Sequence, residues 1–109
     1  HNNIGFFVTN NSLLVAINLD NYQILYSKDI NLQVAKFLNA KKRNLNFKDV
    51  MLLNSEIFVF LENSFILNFE NNGELKDVKR LPSKIYSSPI LIDSSILYLN
   101  LRKKLIILN

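Results

Sequence analysis

"VMLLNSEIFVFLENSFILNF" (residues 50–69) and "PILIDSSILYLNLRKKLIIL" (89–108) align without a gap, each position of the second lying 39 residues after its counterpart (89 − 50 = 39). The alignment sets Leu52 on Leu91, Leu53 on Ile92, Asn54 on Asp93, Ile57 on Ile96, Phe60 on Leu99, Ile66 on Leu105 and Phe69 on Leu108. An earlier copy stands at an offset of 52, with Leu14 on Ile66 and Ile17 on Phe69, so it carries 13 extra residues (52 − 39). These extra residues must fall between a strand ending near Ser27 and one starting near Lys48.

Apolar runs of four to six residues alternate with short polar breaks along the whole chain, the pattern of hairpin-connected strands. Strands are expected near 4–9, 13–18, 23–27, 48–53, 57–61, 65–69, 74–79, 88–92, 96–100 and 104–108. Gly and Pro number only two each, so the turns must be built from Asn, Asp and Ser, which tolerate left-handed backbone better than other side chains. A period near 40 residues with about four strands per unit is the signature of a β-propeller blade, whereas solenoid repeats of similar length are mostly helical. The expected fold is therefore all-β, built of antiparallel four-stranded meanders as propeller blades. The blade-like units span about 4–30, 48–80 and 86–109, with an insertion at 31–47. On this register the chain opens inside a blade and stops before the last strand of another, giving three, four and three strands, or about two and a half blades of a partial propeller. Blade faces left uncovered in this way predict self-association, by face packing or edge pairing.

Composition narrows the function classes. With 109 residues, 49% hydrophobic and 20% charged, the chain is globular and large enough for a modest core. The net charge of +4 comes from 13 basic residues interspersed with nine acidic ones, and the only basic clusters are Lys41, Lys42, Arg43 and Arg102, Lys103, Lys104. These clusters are read as solvated loops, with a phosphate-binding patch as the alternative, and no nucleic-acid partner is expected. Zero Cys excludes a disulfide framework or a thiolate zinc site. No apolar run reaches the roughly 18 residues of a membrane span, and no signal sequence is visible. His1 is the only histidine and stands at a chain end, which removes His-based triads and leaves no catalytic set. The carboxylates fall mostly at expected turns and strand ends. "ENNGE" (70–74) clusters oxygen ligands but lacks the alternating spacing of a calcium loop, and is read as a hairpin turn with Asn72 and Gly73 at positive φ.

Two stretches carry a resemblance. "LVAINLDNYQILYS" (14–27) resembles the pyrroloquinoline-quinone (PQQ) repeat, or quinoprotein-like repeat, in its apolar strand, Asn18, the turn, and a second strand ending in Tyr26 and Ser27. "YSSPILIDSSILYLNLRKKLIILN" (86–109) resembles the opening of the same repeat, with Ser87, Ser88 and Pro89 before a strand, the Asp93-Ser94-Ser95 turn, and Tyr98 in the next strand. Each copy departs from the pattern; Tyr22, for instance, stands where the turn glycine is expected. The resemblance implies a propeller similar to the PQQ-repeat lipoprotein of the outer-membrane β-barrel assembly machine. That would make the chain a non-catalytic scaffold that holds protein partners, periplasmic or outer-membrane associated. The alternative it implies is a fragment of a quinoprotein dehydrogenase whose catalytic residues lie elsewhere. The repeat's enzymes carry adjacent cysteines near the quinone, and this chain has none, so no cofactor is expected.

The insertion is the one feature that breaks the repeat. Leu32, Ala35 and Leu38 or Phe37 can line one face of a short helix, with Asn31 as its cap and Lys41, Lys42 and Arg43 at its C-terminal end, where the helix dipole favours cations. Insertions map to loops and loops carry binding, so Phe37, Leu38, Lys41, Lys42 and Arg43 are the expected partner-contacting residues. Removing residues 32–43 is expected to leave the fold intact.

Overall fold

The computed structural model describes residues 3–82, 85, 87–92 and 95–108; His1, Tyr86 and the Asp93-Ser94 pair of the expected turn lie outside them. Among the described residues, ten strands and one helix follow in the order β1 (Ile4–Val8), β2 (Leu13–Asn18), β3 (Ile24–Asp29), α1 (Ile30–Leu38), β4 (Phe47–Leu53), β5 (Glu56–Leu61), β6 (Phe65–Glu70), β7 (Leu75–Arg80), β8 (Ile90–Ile92), β9 (Ser95–Leu99) and β10 (Leu105–Leu108). They form three antiparallel meanders. Sheet one is β1-β2-β3, sheet two β4-β5-β6-β7, and sheet three β8-β9-β10. The fold is all-β, with the three, four and three strands expected from the repeat.

The repeat is visible in backbone detail. β2 and β6 begin and end 52 residues apart (65 − 13 and 70 − 18), and β5 and β9 begin 39 apart (95 − 56). The register shifts between Ala16 and Ile17 and again between Asn68 and Phe69, a bulge at the same repeat position in two sheets. Ser12, Ser64 and Lys103 share one position in equivalent hairpins, and all three have positive φ, at 67°, 76° and 61°. The hairpin turns use Asn side chains where glycine is scarce. Asn18, Asn72 and Asn100 each accept a hydrogen bond from the backbone N–H two residues on. Gly73 has φ +87° as expected. Asn72 differs from its expected role: it is not among the positive-φ residues, and its side chain closes the turn instead. Tyr22, at the glycine position of the first copy, adopts φ 59° with its ring in solvent.

Strand spacing puts alternate residues on opposite faces, and sheet two is covered on both. Ile57, Val59, Leu67 and Phe69 pack on Phe6, Val8 and Leu14 of sheet one, together with Ile30 of α1. Its other face, through Phe60 and Ile66, packs on Ile96 and Tyr98 of sheet three, with Leu81 and Ile85 from the connection. This is why β5, EIFVFL, reads as a nearly unbroken apolar run. Ile96 and Tyr98 stand 39 residues after Ile57 and Val59, so each sheet turns the same face toward its predecessor. No helix among the described residues is long and apolar enough to cross a membrane.

Candidate functional site

The 13-residue excess folds as α1 and a following extended segment, lodged between the last strands of sheets one and two. Its N-cap is Asp29, not the expected Asn31. Asp29 has φ −76° and ψ 105°, and its Oδ1 accepts from the Leu32 N–H at 3.0 Å. Asn31 is instead buried inside the first turn, where its Oδ1 accepts from the Leu45 N–H at 3.2 Å and pins the segment returning from the helix. Both residues are competent caps by type; tertiary packing chose between them. The helix stops at Asn39, which is left-handed (φ 52°, ψ 51°), and the next N–H, on Ala40, bonds Ala35 O at 2.9 Å.

The helix is bound into the stack rather than laid on it. Ile30 is fully buried, worth about 1.5–3 kcal/mol by apolar burial. Gln33 reaches the "ENNGE" turn of sheet two, its Nε2 donating to Gly73 O and its Oε1 accepting from Leu75 N–H, both at 2.9 Å. Tyr26 of sheet one donates its hydroxyl to Asn71 O in the same turn, at 2.9 Å, and Lys28 pairs with Glu74 at 3.5 Å. Burial pushes the Tyr26 hydroxyl up from an ordinary pKa of 10.0 to about 12. The turn is thus a clasp between sheets. Removing residues 32–43 would cut these bonds, because Gln33 and Val34 are part of this joint and Ala35 is buried beside them.

The five residues expected at the contact surface are divided among three places. Phe37, 47% exposed, lines an open groove with Leu32, Lys36 and Leu75. Lys42 turns back to the start of the helix, where its Nζ lies 2.8 Å from Asp29 Oδ2, and this bond more than the Leu32 N–H holds the Asp29 carboxyl below the ordinary carboxylate range. The remaining three, Leu38, Lys41 and Arg43, share a cavity of about 470 Å³ between α1 and sheet two. Its far wall is Leu61, Phe65, Leu67 and Val78, which reasoning from the insertion alone did not include. The second basic cluster, Arg102, Lys103 and Lys104, is exposed around the β9–β10 turn. No group of three His, Cys, Asp or Glu side chains converges as a metal site among the described residues. On the strand surfaces Glu56 pairs with Lys76, while Asp49 and Asp77 accept from the backbone N–H of Val50 and Val78.

Stacked antiparallel meanders that each turn the same face to the preceding sheet define a propeller-type all-β fold. No protein-family model matches the sequence, and no curated protein does. Among solved structures the chain is similar to the crystal structure of BamB from Moraxella catarrhalis, with a TM-score of 0.73 over 96% of this chain, at 8% sequence identity. The match spans 29% of that protein's length, and at this identity the likeness is one of fold.

Proposed function

We propose that the chain is a partial β-propeller, with blades at about 4–30, 48–80 and 86–109, that serves as a non-catalytic scaffold holding protein partners in bacterial outer-membrane assembly, in the periplasm or at the outer membrane. The observation that carries this reading is the superposition on BamB over 96% of the chain, joined to hairpins that resemble the PQQ repeat. The contact surface is the α1 insertion, through Phe37, Leu38, Lys41, Lys42 and Arg43. Phe37 and Leu38 stand about half exposed on an element that breaks the repeat, where a partner can reach them. The test is binding of the purified chain to purified components of the β-barrel assembly machine. Saturable binding that is lost on Phe37→Ala with Leu38→Ala, at unchanged circular dichroism, supports the reading. Unchanged binding of that variant removes α1 as the contact. An adjacent-cysteine pair with a calcium-ligand set in the full-length protein would overturn the scaffold reading itself.

The outer face of sheet three bears on how the chain associates. Ile90, Ile92, Leu105 and Ile107 are 51–58% exposed there, yet Leu105 is the repeat counterpart of Ile66, which is 4% exposed beneath sheet three. Further apolar sheet is what this face is built to meet, so the isolated chain self-associates through it.

A further inference from the structure

We propose that the cavity between α1 and sheet two is a binding site for a small anionic amphiphile, a single hydrocarbon chain ending in a carboxylate or phosphate. The volume of about 470 Å³ falls within the roughly 300–1,000 Å³ of small-molecule sites. The walls are apolar from both sides, with Val34 and Leu38 on the helix facing Phe65 and Val78 on the sheet. Cations stand at the end where the chain leaves the helix. Lys41 and Arg43 line the cavity and have no carboxylate partner among the described residues, whereas Lys42 between them is spent on Asp29. No Asp or Glu lines the cavity. An anionic head group therefore meets two free cations and no like charge, and Arg43 offers a planar fork suited to either oxyanion.

The same walls argue against a peptide occupant. A peptide carries N–H and C=O groups that need partners once desolvated. Of the two amides that line it, Asn31 has its Oδ1 already engaged by the Leu45 N–H. That leaves the Asn31 Nδ2 and the exposed Asn63, too few partners for the successive N–H and C=O groups of a peptide. A hydrocarbon chain makes no such demand. Leu38, Lys41 and Arg43 belong to both this cavity and the proposed protein-contact surface. An amphiphile here and a protein partner on α1 would therefore compete, while amphiphile binding by the chain alone needs no partner.

The experiment is a fluorescence titration of the purified chain with dansyl-undecanoic acid, followed by displacement with dodecanoate, dodecyl phosphate and uncharged dodecanol. Saturable binding displaced by both anions is expected. Lys41→Gln with Arg43→Gln should weaken the two anions by about tenfold or more, since charge-assisted bonds are lost, and leave dodecanol within about twofold. Both side chains are exposed, so this variant keeps its fold, checked by circular dichroism. Ala40→Trp, which fills the mouth, should abolish binding of all three. The proposal falls if the chain shows no saturable binding, if the double variant binds dodecanoate as tightly as wild type, or if an apolar peptide displaces the probe where dodecanoate does not.

Discussion

The two joints of the stack are held in different ways. Between sheets one and two, an apolar cluster around Leu14, Ile57, Leu67 and Phe69 is overlaid by directional bonds: Tyr26 to Asn71, Gln33 to Gly73 and Leu75, Lys28 to Glu74. In the second joint Phe60 and Ile66 pack against Ile85, Ile96 and Tyr98. Apolar burial supplies most of the stabilisation in both and is indifferent to direction. Hydrogen bonds contribute about 0.5–1.5 kcal/mol each but fix geometry. In the first joint, where the insertion enters, these bonds specify the register.

The largest effects will come from the apolar centres. Phe69→Ala in the first joint and Phe60→Ala in the second, both fully buried, should each cost about 3–5 kcal/mol in chemical denaturation. A much smaller loss for Phe60→Ala would show that sheet three is only loosely docked. Gly73→Ala comes next, at about 1–3 kcal/mol for the positive φ. A Cβ there would also sit 2.5 Å from the Tyr26 ring. Combined with Tyr26→Ala the two losses should not add, and simple additivity would mean the ring does not press on the turn. Gln33→Ala should cost about 1–3 kcal/mol by leaving the Leu75 N–H without its acceptor, and hydrogen exchange should rise at Leu75 before it rises in sheet three.

The smallest effect separates the joints by pH. The folded state holds the Tyr26 proton up to about 12 against an ordinary 10.0. Its contribution is thus fully present below pH 10 and is lost as pH rises toward 12. Tyr26→Phe should flatten the alkaline limb of stability. An unchanged limb would assign it to other groups.

Much of the architecture was legible because strands and turns are local. Asn54 and Ser55, with φ 52° and 64°, form the tight β4–β5 turn that their residue types suggest. The cap was misread because Asp29 and Asn31 are equally good caps in isolation, and only the burial of Asn31 against the returning chain decides between them. The site was legible in part. Leu38, Lys41 and Arg43 do converge, but Lys42 leaves for a carboxylate 13 residues earlier, and the opposite wall comes from β5, β6 and β7. Spacing within one insertion cannot report what a neighbouring sheet brings to it.

Because every sheet offers one face forward and a different one back, the stack has a head and a tail. Ile90, Leu105 and Ile107 form the head, while Phe7, whose counterpart Val59 is fully buried, lies on the tail. Contact of head with head repeats no joint found inside the chain, so copies that meet as the sheets do must join head to tail. Such heterologous contacts do not stop at two: they close into a ring if the rotation allows, or run on as a filament. Association of the isolated chain should then appear in light scattering as a ring of fixed size or a concentration-dependent series, and a lone symmetric dimer would mean that some other surface had paired.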